Sequence, residues 1–234
     1  MINSSNKIPL RKAALYAGIV ILVIALVAPF AEVYLYPKLV DLINPPQTIH
    51  NIINNKALFV SMIFSYLLTF AGDIVLSWLL YILLAPVHKH LSLLTALFRL
   101  AFALIALTAL LNLVTVFQLL STEEYSVAAG QTQLNTQIIL CFKTFRSNYH
   151  FGIIFFSIHL MLLGYLVIKS GYINRMMGVV LIICGFGYLT DALKPFLFPN
   201  LNSSFITITF FGELIFMLWL LIKGYKIEDK NDTT

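Results

Sequence analysis

A chain of 234 residues that is 60% hydrophobic and only 11% charged, with a mean hydropathy of +0.90, is excluded from ordinary water-soluble globules, which carry roughly 25% charged residues. The net charge of +5 and the pI near 9.2 do not indicate nucleic acid, because the basic residues stand singly at the ends of apolar runs and form no patch. Cys141 and Cys184 lie in different segments with no CxxC or His/Cys ligand spacing, so both are expected to be free thiols without a role.

Apolar runs of about 18 residues or more, the length that crosses a bilayer as a helix, predict an all-α polytopic transmembrane helix bundle of six spans. In chain order these cover residues 13–36, 57–84, 91–120, 151–168, 176–197 and 205–222. Residues 1–12 form a cytoplasmic N-terminal segment, and residues 223–234 a polar cytoplasmic tail. Lys7, Arg11 and Lys12 precede the first span as they would precede a signal peptide, but its apolar part is too long for an h-region and Pro29-Phe30-Ala31 is a poor cleavage site. The first outer connection, "PKLVDLINPPQTIHNIINNK", contains Pro37, Pro45 and Pro46 and cannot be one continuous helix. The loops "APVHKH" and "KSGYINR" are short turns between antiparallel helices, and both inner loops are short. Within the second outer connection, residues 134–147 predict an amphipathic helix lying in the interface or, alternatively, a re-entrant element. Nine lysines and arginines flank the spans on one side and five on the other, which puts both termini in the cytoplasm by the positive-inside rule.

An ionisable side chain near the middle of a bilayer costs at least about 2.5 to 3.5 kcal/mol on insertion scales, so each one needs a reason. Glu32, Asp73, Asp191 and Glu213 fall inside predicted spans, together with Arg99, His159 and Lys194, while His150 stands at the mouth of one. Counting helical rise from the span ends puts Glu32, His150, Asp191 and Lys194 in the outer part of the bilayer. The same count puts Asp73 and Arg99 in the inner half and His159 and Glu213 near the middle. Asp73 and Arg99 have opposite charges on consecutive antiparallel helices and form a candidate structural ion pair. The others, Glu32, His150, His159, Asp191, Lys194 and Glu213, form a candidate set for an intramembrane polar site, with no catalytic residue and no metal ligand assigned. His150 and His159 are nine apart, hence on opposite sides of a regular helix, and cannot both reach one ion.

Asp191 and Lys194 are three residues apart and share a helix face. Pro195 has no N–H, so the carbonyl of residue 191 loses its helical partner, and Pro29 does the same for Ala25 near Glu32. Broken helices beside acidic residues point to ion or substrate sites in transporters. Equally, Pro195 suits a helix that ends at Lys194, with the amine reaching the headgroups. Gly152, Gly164, Gly178, Gly185 and Gly187 lie on the fourth and fifth spans and permit close helix approach.

The stretch "YHFGIIFFSIHLMLLGYLVIKSGYINRMMGVVLIICGFGYLTD", with "FRL" at 98–100 and "GELIFMLWLLIKG" at 212–224, resembles a bacterial membrane family catalogued as domain of unknown function 4386. The resemblance implies a six-helix membrane domain with no assigned activity. It adds weight to Arg99, His159, Asp191 and Glu213 as an interior polar set.

Three function classes fit these residues. The first is a small-molecule or ion transporter or permease-like protein. The second is a non-catalytic membrane component or accessory subunit, and the third an intramembrane metal-assisted hydrolase using His150, Asp191 and Glu32. The expected setting is the bacterial cytoplasmic membrane. Expected partners are the lipid bilayer, a small-molecule or ion ligand, and a second copy or another membrane protein. No cofactor and no nucleic acid are expected.

Overall fold

Apolar side chains recur without interruption along most of the chain, and the backbone answers with helix, the form that satisfies its own polar groups inside a bilayer. The computed structural model describes residues 8–121, 131–197 and 211–227, and all regular structure among these is helical. Helix α1 (Leu10–Pro29) runs through a π-helical segment, Phe30–Leu35, into α2 (Tyr36–Leu39). Then follow α3 (Pro45–Asn54), α4 (Lys56–Leu84), α5 (Lys89–Ser121), α6 (Gln131–Ser170), α7 (Arg175–Leu197), α8 (Phe211–Lys223) and a 3-10 turn, Gly224–Lys226.

Five stretches among the described residues are long and apolar enough to cross a membrane: Leu10–Leu39, Lys56–Leu84, Lys89–Ser121, Thr132–Ser170 and Arg175–Leu197. Of the sixth expected span, residues 211–222 fall on α8, and residues 205–210 lie outside the described residues. The first connection is broken as its prolines require. Residues 40–44 leave the helix, and Asn44 caps α3 by accepting from the Gln47 N–H at 3.3 Å, with Pro45 at the first helical position. Thr48 closes the bend, donating its hydroxyl to the Asp41 carbonyl at 2.7 Å and accepting from the Asp41 N–H at 2.8 Å.

The second connection differs from expectation. Residues 134–147 are neither a separate interfacial helix nor a re-entrant element, but the first part of α6, which continues unbroken for 40 residues. At 1.5 Å per residue that is about 60 Å, twice the hydrocarbon thickness of roughly 30 Å. The physical reason is visible in the chain: residues 131–170 contain no proline. The loosely alternating apolar residues Leu134, Ile138, Phe142 and Phe145 are all buried, at spacings that follow a helix face. Likewise α7 does not end at Lys194 but carries Pro195 inside it and reaches Leu197.

The helices divide into two compact units. One comprises residues 1–23, 72–102 and 153–234, and the other residues 24–71 and 103–152. In the first unit α6 and α7 cross at a seam of small residues. A methyl group added to Gly178 would stand 2.5 Å from the Gly164 carbonyl oxygen, and one on Gly185 would stand 2.9 Å from that of Ser157. Gly164 and Ser157 are seven apart, as are Gly178 and Gly185, so the seam repeats every two turns of two antiparallel helices. The turn between them uses Gly171 at φ +74°, where a side chain would be strained. It is pinned by the Tyr172 hydroxyl donating to the Leu83 carbonyl, and burial pushes this phenol well above its ordinary pKa, so it remains a donor. The second unit is built round edge-to-face aromatics: Phe142 against Tyr36 and Phe59, both at 6.2 Å, and Tyr66 against Phe145 at 5.1 Å.

Candidate functional site

The α4–α5 hairpin of the first unit is held in register by three polar contacts that step along it about one turn at a time. The Ser92 hydroxyl donates to the Tyr81 carbonyl at 3.1 Å and the Ser77 hydroxyl to the Ala96 carbonyl at 2.7 Å. At the next step Arg99 meets Asp73, donating from Nε at 2.9 Å and from Nη2 at 2.6 Å to the same carboxylate oxygen, Oδ1. Arg99 is 2% exposed and Asp73 3%. A guanidinium so deeply buried needs its other donors occupied as well.

They are occupied from two further helices. Arg99 Nη1 donates to Glu213 Oε1 at 3.1 Å and faces His159 Nε2 at 3.1 Å, and the guanidinium lies 5.2 Å from the centre of the Phe156 ring. His159 is wholly buried, and its Nδ1 stands 2.8 Å from the Thr95 carbonyl oxygen. These contacts assign the histidine. A carbonyl only accepts, so Nδ1 carries the hydrogen; a guanidinium only donates, so Nε2 offers a lone pair. His159 is therefore the neutral Nδ1–H tautomer.

Glu213 reaches the network because α8 starts very close to α7. A methyl group on Gly212 would fall 2.0 Å from the Cys184 sulfur, so any larger residue at 212 would push the first turn of α8, and Glu213 with it, away from Arg99. The Glu213 side chain keeps 20% of its surface exposed, against 4% for Asp73. The network thus joins α4, α5, α6 and α8 at one guanidinium, with a graded access that favours Glu213.

The second unit holds a separate polar cluster at the π-helical segment. Pro29 cannot donate to Ala25, and the backbone beyond it adopts the wider π spacing, in which the Tyr36 N–H bonds to the Ala31 carbonyl five residues back. Glu32 sits on that segment. Its Oε2 accepts from the Tyr66 hydroxyl and its Oε1 from Arg146 Nη1. The Arg146 guanidinium lies 4.1 Å from the centre of the Tyr36 ring, and the Tyr36 hydroxyl is buried with no hydrogen-bond partner among the described residues.

With both sites defined, sequence comparison identifies the group to which the chain belongs. Residues 16–224 match the family described as domain of unknown function (DUF4386). The chain belongs to that family. It is 35% identical over 161 residues to an uncharacterized protein of Archaeoglobus fulgidus, a match covering 69% of this chain and 82% of that relative. No solved structure matches the chain. The DUF4386 match spans every residue of both clusters and carries no activity with it.

Of the residues singled out from this DUF4386 sequence, Asp73, Arg99, His159 and Glu213 lie in one network, whereas Glu32 lies in the second cluster. His150 is half-buried on α6, and Asp191 and Lys194 are half-buried near the end of α7. Three members of the second cluster, Tyr36, Tyr66 and Arg146, were not singled out. Arg146 reads as one more flanking charge unless residues 131–170 are seen as one helix. Once they are, Glu32 with Arg146 is an opposite-charge pair between two spans, the same signal that singles out Asp73 and Arg99. Among the described residues no three His, Cys, Asp or Glu side chains gather as a metal site, and both oxygens of Glu32 are already engaged.

The two tyrosines of the second cluster should respond oppositely to loss of the hydroxyl. Tyr66→Phe leaves a carboxylate oxygen without its donor and should destabilise the purified protein by roughly 1 to 3 kcal/mol. Tyr36→Phe removes a buried unsatisfied group and should be neutral or stabilising. Thermal unfolding of both variants in one detergent reads the contrast, and a Tyr36→Phe loss as large as that of Tyr66→Phe would contradict the geometry.

Proposed function

We propose that this DUF4386 protein is a small-molecule or ion transporter or permease-like protein, six-spanning, with both termini cytoplasmic, in a bacterial cytoplasmic membrane. The observation that carries the reading is the Asp73–Arg99–Glu213–His159 network: a buried arrangement with two carboxylates for one guanidinium, drawn from four helices. Ionisable residues facing the interior of a membrane protein mark ion and substrate paths more often than they mark simple packing. The π-helical break beside Glu32 supports the same reading, since interrupted helices and π-bulges recur at binding sites.

A second reading is favoured by a specific feature of the same network. Each of its members already has a partner, and α6 packs on α7 with no space for a methyl group. That is what a non-catalytic component would use to fix helix register, given that buried ion pairs add specificity more dependably than stability.

Charge displacement separates the two. Adsorbed proteoliposomes stepped through protons, sodium, potassium and a panel of small organic ions should give a transient current with at least one of them. Asp73→Asn should reduce that current at least tenfold. Silence toward the whole panel, from protein shown to be folded, would favour the component. For topology, Lys230→Cys in a background without Cys141 and Cys184 should react with an impermeant thiol reagent from the cytoplasmic face alone; reaction from the outer face would reverse the orientation.

A further inference from the structure

Within the first unit, basic residues gather where the first and last helices meet. Helix α1 opens with Arg11 and Lys12, and α8 closes with Lys223, followed by Lys226 in the 3-10 turn. Two close approaches bring these ends together. A methyl group on Gly18 would stand 2.9 Å from Leu221 Cδ2, and one on Gly224 would stand 3.0 Å from Ala14 Cβ. As the α1 number falls from 18 to 14 the α8 number rises from 221 to 224, so the two helices are antiparallel neighbours. Carrying that register on by less than one turn sets Lys12 level with Lys226, with Arg11 next to it in the chain.

All four bases are exposed, and among the described residues none of them takes part in an ion pair. The sequence supplies too few carboxylates nearby to neutralise them, since residues 1–12 and 223–234 together hold six lysines and arginines against Glu228, Asp229 and Asp232. Leu15 and Tyr16 on α1, and Leu218 and Ile222 on α8, are exposed apolar side chains within two turns of the bases. The Lys226 ammonium stands 5.7 Å from the centre of the exposed Tyr225 ring. Fixed positive charge thus borders apolar surface at the end of a helix long and apolar enough to cross a bilayer. Such a surface matches an amphiphile whose head is negative and whose chains are apolar.

We propose that the α1–α8 seam binds an anionic phospholipid, with Arg11, Lys12, Lys223 and Lys226 holding its phosphate and the neighbouring apolar side chains lying along its acyl chains. A zwitterionic lipid offers the same phosphate and the same chains, but its ammonium is repelled by the four bases and cancels the attraction. A soluble phosphate ester offers the charge without the chains. Only the anionic lipid answers both parts of the surface. The inference rests on the membrane setting, and on neither transport nor the direction in which the helices cross.

Native mass spectrometry of the full chain, released from detergent in ammonium acetate, counts bound lipid without any transport. The probes are phosphatidylglycerol, phosphatidylcholine with the same acyl chains, and glycerol phosphate. Phosphatidylglycerol should be retained at roughly tenfold lower concentration than phosphatidylcholine, since each base near an anionic headgroup layer contributes on the order of a fivefold gain. The double variants Arg11→Gln with Lys12→Gln, and Lys223→Gln with Lys226→Gln, should each cut that preference roughly fivefold or more. Lys38→Gln with Lys56→Gln removes the same charge from the second unit and should leave it intact. Equal retention of the two lipids by wild type overturns the proposal, as does a preference that survives both seam variants or falls equally in the control. Glycerol phosphate retained as well as phosphatidylglycerol would reduce the seam to a phosphate site and overturn the lipid. Should a seam variant fail to fold, the wild-type preference is followed as ammonium acetate is raised. It should shrink as the salt screens the bases, and a preference indifferent to salt would contradict the charge pairing.

Discussion

One guanidinium organises the first unit. Arg99 is buried where no water can solvate it, so every helix around it must present an acceptor or an aromatic face. Asp73 does so from α4, His159 from α6 and Glu213 from α8, with Phe156 as the aromatic surface. In a bilayer the hydrophobic effect does not choose among helix partners, because lipid tails are as apolar as leucine. Directional donors do choose. The five N–H groups of arginine have a fixed fork geometry, so register and rotation of four helices are specified together.

Close packing supplies what direction alone cannot. Glu213 is on the first turn of α8, and only the missing side chain at Gly212 lets that turn approach the Cys184 sulfur of α7. His159 is carried on α6, whose neighbour α7 is held by the Gly164–Gly178 crossing. The glycines and the charges are therefore two parts of one device: small residues set distances, and the guanidinium sets angles. The second unit shows the same logic with a different emphasis, since its Glu32 is positioned by a π-helical segment that follows Pro29 and is met by Tyr66 and Arg146.

The helical class, the membrane-spanning runs and the proline break before α3 could be read from composition and hydropathy, because those depend on local runs of residues. So could the Asp73–Arg99 juxtaposition, which follows from opposite charges on consecutive antiparallel helices. The capture of His159 and Glu213 by the same arginine could not, because it depends on which face each helix turns inward, and helices apolar on all sides carry no such signal. His159 also uses a backbone carbonyl, that of Thr95, and backbone acceptors leave no mark in a sequence. The extent of α6 was obscured for a related reason. Polar residues on one side of residues 134–147 read as an interfacial segment, whereas Leu134, Ile138, Phe142 and Phe145 continue the buried face of a single helix.

The protonation state of His159 is the point on which the network stands, since its contact with the Arg99 donor and its pairing with the Thr95 carbonyl both require it. Nitrogen-15 magnetic resonance of the imidazole, in protein labelled at histidine and reconstituted in lipid, measures it directly, with a His159→Gln sample assigning the signal. At neutral pH the ring should be neutral, with hydrogen on Nδ1 and a bare Nε2. An imidazolium, or a ring with hydrogen on Nε2, would contradict it.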